Sequence, residues 1–142
     1  MRGPCLLGAL LGDASAAQLD ALDRFGTPLG LAFQLRDDLL SAFGQHAAIG
    51  KPVGNDLRAG KRTALVSEAR ASLSGDDRAL FDWVLGNPEA TDEALARVTE
   101  ALLHAGVRER LEARVADLLA EAHAALAGAP LGAEGTAMLG EL

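Results

Sequence analysis

Four polar side chains, Gln34, Asp37, Asp38 and Ser41, fall at i, i+3, i+4 and i+7 in a segment otherwise built from Leu31, Ala32, Phe33, Leu35, Leu39, Leu40 and Phe43. On a helix that spacing makes one polar stripe along a mostly apolar cylinder. Two adjacent carboxylates on a largely buried helix repel each other and resist desolvation. A hard divalent cation relieves both problems. Mg²⁺ is characteristically held by one or two protein carboxylates while phosphates and waters complete its shell. The chemistry indicated is therefore a metal-bridged diphosphate. The same stripe also fits a helix with one solvated edge, its carboxylates neutralised by Arg36 or a distant base. A second acidic pair, Asp76-Asp77, follows Gly75 at a helix start, where acids suit the dipole, and is read as structural.

The segment that follows favours the metal-diphosphate alternative. Between Gly44 and Thr63 stand Lys51, Arg58, Lys61 and Arg62 against one acid, Asp56. Gly and Pro punctuate the stretch at Gly44, Gly50, Pro52, Gly54 and Gly60, and a long loop of this kind is more often functional than idle. Glycines let backbone amides approach an anion closely, and lysine supplies a point charge for phosphate. A solvated basic loop is the bland alternative. A carboxylate-bearing helix running into a cationic, glycine-rich loop is nonetheless the pairing that a magnesium diphosphate requires.

The run from Gly30 to Asp38, GLAFQLRDD, followed by GKPVGNDLRAGKRT from Gly50 to Thr63, resembles the second aspartate-rich region of the polyprenyl synthetases. These are the geranylgeranyl, farnesyl and longer-chain diphosphate synthases. The motif region spans about residues 33–63, and weaker resemblance, including Gly8 and Gly26, extends through most of the chain. The resemblance implies an all-α fold, the C-terminal half of an isoprenoid-synthase-type helical bundle, with residues 1–142 as part of one synthetase domain and no second domain. It implies a transferase of isoprenoid biosynthesis, a prenyltransferase condensing isopentenyl diphosphate with an allylic prenyl diphosphate. Carried over by position, Asp37 is the principal Mg²⁺ ligand, and Asp38 assists through the second shell or a bound water. Asp56 holds metal-bound water. Lys51 contacts the allylic diphosphate, Lys61 adds positive charge at the mouth, Gln34 lines the cavity near the reacting carbons and Phe33 walls it.

Two departures qualify this. The family's Asp-Asp-x-x-Asp ends here in Ser41, a neutral and weaker donor, and Gln45 replaces a common Gly-Asp pair, so looser metal binding is expected. The family's first aspartate-rich motif, the Arg pair beside it and the remaining isopentenyl-diphosphate ligands lie upstream of the matched region. Catalysis of this kind depends on positioning two substrates, so the chain alone is expected to be inactive. Half of an α-bundle leaves apolar helix faces exposed. That suggests a homo-oligomer, a complementing synthase chain, or the remnant of a truncated gene. A competing reading is a non-catalytic subunit that docks on a full-length synthase through those faces. Lyase chemistry of the terpene-cyclase type uses similar metal logic but explains the Gly-Lys-Pro-x-Gly pattern less well.

The elements that must position these residues read as helices throughout. Leu6 to Leu11 is the end of a helix, Ala16 to Phe25 is another, and Gly26-Thr27-Pro28 predicts a break or kink before a largely buried helix from Leu29 to Phe43. Helices follow over Ala64 to Leu73 and Asp76 to Leu85. Thr91 is an N-cap with Asp92 and Glu93 behind it, opening a helix that Gly106 closes. Val107 to Leu126 carries an apolar stripe of Leu111, Val115, Leu118, Leu119, Ala122 and Leu126, with Glu109, Glu112, Arg114 and Glu121 mostly off it. Gly128 and Pro130 end it.

Composition agrees. The 142 residues are 49% hydrophobic, enough for a core, and strand formers are scarce: Tyr is absent and Ile occurs once. The net charge of −7 speaks against nucleic acid or an anionic membrane as a general partner, though not against a small anion held locally. Cys5 alone cannot form an internal disulfide, consistent with a reducing, cytoplasmic setting. No apolar run reaches the about 18 residues of a membrane span. The stretch from Met1 to Leu11 superficially suggests a signal peptide, but its Gly3-Pro4 start and the lack of a convincing cleavage site speak against one. His46, His104 and His123 lack ligand spacing.

Overall fold

The computed structural model describes residues 1–44 and 55–141. The described residues form eight helices and no strand: α1 (Arg2–Leu11), α2 (Ala16–Phe43), α3 (Asn55–Arg58), α4 (Ala64–Ser72), α5 (Gly75–Val84), α6 (Asp92–His104), α7 (Val107–Leu126) and α8 (Ala133–Gly140). The fold is all-α. Two compact units share α2 and α7: residues 1–34 with 114–142, and residues 35–113.

The start of α2 is set by a capping box. Gln18 Oε1 accepts from the Ser15 amide at 2.8 Å, and the Gln18 amide reaches Ser15 Oγ at 3.4 Å. The helix then runs unbroken from Ala16 to Phe43 with Pro28 inside it, which corrects the expected break at Gly26-Thr27-Pro28. Proline deprives the Arg24 carbonyl of its intrahelical donor, at a cost of about 3 kcal/mol in a helix interior. Arg24 is exposed, so water can take that carbonyl. Leu22, Phe25, Leu29 and Ala32 are buried on one face on both sides of the proline. That continuous apolar face outweighs the local signal.

In the first unit Phe25 and Leu29 of α2 pack with Ala122 and Leu126 of α7, flanked by Cys5, Leu119, Leu131 and Leu139. Gly26 permits the approach of α1: a methyl group there would stand 2.9 Å from the Arg2 Cα. In the second unit Phe81, Val84, Val98, Leu102 and Val107 are fully buried, and α5 packs on α6. Thr91 Oγ1 caps α6 by accepting from the Ala94 amide at 3.2 Å, and Gly106, at φ +68°, follows its end, both as expected. On α7, Leu111, Leu118, Ala122 and Leu126 are buried while Glu109, Glu112, Arg114 and Glu121 are exposed, which matches the expected stripe.

The expectation that Leu29 to Phe43 is largely buried holds for one stripe only. Leu29, Ala32, Leu35, Asp38 and Ala42 are buried, whereas Leu31, Phe33 and Leu40 are exposed. Exposed leucines also line α1, at Leu7, Leu10 and Leu11.

Two outcomes follow. Gly26→Ala lowers stability by about 1–3 kcal/mol, because the obstacle is backbone; a reduced midpoint in thermal or urea unfolding checks it. On α5, Asp82 accepts from Arg78 Nε at 2.6 Å and more loosely from Arg70 of α4 at 3.4 Å. These bonds, Arg78 first, hold its carboxyl below the ordinary range. Such a group contributes stability above its unfolded value, near pH 4, and loses it as pH falls through the lower folded value. The stability difference between wild type and Asp82→Asn is therefore constant from pH 5 to 8 and closes on further acidification.

Candidate functional site

The geometry begins with the stripe on α2. Among the described residues Asp38 is the one buried charged side chain, only 6% exposed, and Asp37 beside it is exposed. Adjacent residues on a helix differ by about 100° in direction, so one carboxylate of the pair faces the buried side and the other faces out. The expected polar stripe is thus divided. Asp38 joins the buried row of Leu35 and Ala42, Ser41 is half-buried, and Gln34 and Asp37 face solvent.

Asp38, Ser41 and Ala42 of α2 line a narrow pocket within the second unit. Its other walls are Asp56, Leu57, Lys61, Thr63 and Leu65. It offers about 10 Å³, enough for one water or ion and far too little for a prenyl diphosphate. Lys61 Nζ meets Asp56 Oδ1 at 2.5 Å. That hydrogen bond, foremost, raises the Lys61 ammonium above its ordinary range, and attraction from Asp56, Asp37 and Asp38 acts in the same direction against partial desolvation. The three carboxylates singled out in the sequence therefore act on one lysine, although they come from α2 and α3.

Lys51 lies outside the described residues. Phe33 is 61% exposed and Gln34 is also exposed; both sit on α2 within the first unit, whereas Asp37, Asp38, Asp56 and Lys61 belong to the second. Of the other loop cations, Arg58 is committed elsewhere: its Nε donates to the Ala90 carbonyl at 2.9 Å and its Nη2 to Asp92 Oδ1 at 2.6 Å. Arg62 lines a separate open groove with Arg70, Ser67 and Gly86. Arg58, counted among the cations of this stretch, thus directs its guanidinium to Ala90 and Asp92. Sequence reasoning missed Thr63 and the Gly86 to Asp92 connection, which no local pattern ties to a loop some 30 residues earlier.

The oxygen donors of Asp38, Asp56, Ser41 and Thr63 suit a hard cation. Among the described residues no group of three His, Cys, Asp or Glu side chains could hold a metal by itself. A closed protein cage is thus not available among them, while a cation carried by one or two carboxylates and completed by phosphate oxygens fits. Asp37→Asn alters an exposed group, so it leaves the unfolding midpoint within about 2 °C of wild type; differential scanning calorimetry checks this.

Comparison with known proteins adds the following. The sequence model of the polyprenyl synthetases matches residues 1–102. A short chain isoprenyl diphosphate synthase of Methanocaldococcus jannaschii is 35% identical over 96 residues, 68% of this chain and 29% of that protein. The chain thus spans about a third or less of the length of the curated relatives it matches. Among solved structures, geranylgeranyl pyrophosphate synthase from Corynebacterium glutamicum, complexed with isoprenyl diphosphate and magnesium, superposes with a TM-score of 0.86 at 36% identity, covering 95% of this chain and 38% of that one. A polyprenyl synthase from Caulobacter crescentus, complexed with calcium and isoprenyl diphosphate, gives 0.82 at 32% identity, covering 96% and 41%. No helix among the described residues is long and apolar enough to cross a membrane.

Proposed function

The chain belongs to the polyprenyl synthetase family, and on that premise we propose that it supplies the second diphosphate-holding motif of an isoprenyl diphosphate synthase-type prenyltransferase. The reaction is condensation of isopentenyl diphosphate with an allylic prenyl diphosphate. The observation that carries this reading is the meeting of Asp38, Asp56 and Lys61 in one pocket, with Asp37 acting on the same lysine.

In this reading Asp37, exposed, would be the principal Mg²⁺ ligand beside substrate oxygens, Asp38, at the pocket, would assist through a bound water, and Asp56 would hold metal-bound water. A bound Mg²⁺ would supply Lewis acidity, favouring departure of the pyrophosphate anion. Lys51 and Lys61 contact the diphosphate oxygens. The diphosphate lies at the mouth of the pocket, since the interior admits only a water or an ion. Before ligand arrives, Lys61 is paired with Asp56; exchanging that carboxylate for phosphate leaves Asp56 able to accept from water. Phe33 and Gln34, one turn earlier in the sequence, are the residues that the family pattern gives to the prenyl chain. Ser41, where the family pattern has Asp, offers a neutral oxygen and weakens the hold on the cation.

Calorimetric titration of inorganic pyrophosphate into the chain, with and without Mg²⁺, tests the reading. Binding is expected only with Mg²⁺. Asp37→Ala, Asp38→Ala and Lys51→Ala each weaken it by about 10- to 100-fold, and Ser41→Asp strengthens it. An absence of heat in both conditions, with the chain folded by circular dichroism, would refute the proposal.

A further inference from the structure

The short helix α3 and the turn after it send three consecutive side chains to three destinations. Asp56 lines the pocket, Leu57 is 3% exposed in the core of the second unit, and Arg58 reaches the α5–α6 connection. Arg58 is not among the residues lining the pocket. Its guanidinium spans two acceptors there, the Ala90 carbonyl on the connection and the carboxylate of Asp92 at the start of α6. The backbone adds a second tie: the Leu57 carbonyl accepts from the Gly60 amide at 2.9 Å and from the Gly86 amide at 2.8 Å. Gly60 and Gly86 stand at φ +66° and +77°, where a side chain is strained. A methyl at position 60 would approach the Gly86 Cα to 3.0 Å. The Lys61 amide then closes the turn on the Asp56 carbonyl at 3.1 Å.

We propose that Arg58 is a positioning residue for the diphosphate site: held by Ala90 and Asp92, and backed by the Gly60–Gly86 contact, it fixes the turn that aims Asp56 and Lys61 into the pocket, without touching phosphate itself. The proposal rests on the diphosphate reading of that pocket. The bond to the Ala90 carbonyl is the stronger half, because Ala90 is buried and its carbonyl has little access to water as a substitute. The pair with Asp92, whose side chain is 88% exposed, contributes less on its own. Lysine cannot reproduce both bonds, because it lacks the planar fork.

The test uses the full chain and two readouts: affinity for Mg²⁺ with inorganic pyrophosphate, measured well below the unfolding transition, and hydrogen exchange at the Gly60 and Lys61 amides. Arg58→Ala is expected to weaken binding by about tenfold and to accelerate both exchanges, with the Val98 and Leu102 amides of α6 unchanged. Asp92→Ala, which leaves the Arg58 charge in place, weakens binding in the same direction by a smaller factor, and Arg58→Lys does not restore it. In a Lys61→Ala background most of the Arg58→Ala effect disappears, which a general loss of structure would not produce. Tighter binding in Asp92→Ala, full rescue by Arg58→Lys, or unaltered exchange in Arg58→Ala would each overturn the proposal. If Arg58→Ala fails to fold, Asp92→Ala and Arg58→Lys still decide it. If wild type binds no pyrophosphate, the functional reading of the site fails, and the exchange data still decide whether Arg58 holds the turn.

Discussion

A carboxylate on the apolar side of a helix is the constraint around which the second unit is arranged. Asp38 shares the buried row of α2 with Leu35 and Ala42. Removing a charged carboxylate from water costs several kcal/mol even after relaxation, and the cost is recovered only when compensating charge and hydrogen bonds are close. Attraction to the Lys61 ammonium is one such contribution, and Ser41 and Thr63 line the same pocket. An ordinary core would place an aliphatic side chain there. In the proposed reading that polar exception serves a ligand site that would need a negative group in a low-dielectric setting.

The second demand is that the compensating lysine arrive at the right place from a loop. The turn after α3 meets it by dividing labour among neighbours. Leu57 anchors by burial, Arg58 by a fork of hydrogen bonds, and the close approach of Gly60 and Gly86 by the absence of side chains. A loop lysine free to sample many rotamers would lose that freedom on each binding event, weakening the net interaction. A turn fixed by three independent means has much of its backbone freedom removed beforehand.

Much of this was legible in the sequence because local rules sufficed. The Thr91 cap, the stop at Gly106, the stripe on α7 and the acids opening α5 each depend on residues within a turn or two, and each is where the pattern put it. Asp38, Asp56 and Lys61 were singled out through their motif, and the three line one pocket. The misreadings came from long-range effects. Pro28 is a strong local breaker, but Phe25 and Leu29 pack against Ala122 and Leu126, almost a hundred residues later, and that burial carries α2 through it. Apolar residues around the whole circumference of Leu29 to Phe43 suggested burial all round; Leu31, Phe33 and Leu40 face outward instead. Arg58 looked like one more loop cation because its partners, Ala90 and Asp92, are remote in sequence. The order of Asp37 and Asp38 was equally hidden, since a motif names both carboxylates but not which one faces inward.

Charge balance ties these observations to the chemistry. Asp37, Asp38 and Asp56 each attract the Lys61 ammonium. Like charges gathered at short range disfavour one another, more so near a buried carboxylate, where screening is weak. In the proposed reading a divalent cation would offset their charge, and a diphosphate brought with it would draw on further cations, which the loop sequence offers at Lys51. Replacing the family's third aspartate by Ser41 fits the same balance. A further carboxylate beside Asp38 would raise the repulsion in the unliganded state and, in the proposed reading, strengthen the hold on the metal; serine would lower both. In that view Ser41 moves the site toward stability and away from affinity, a trade that ligand pockets make whenever like charges are gathered for a partner that is not always present.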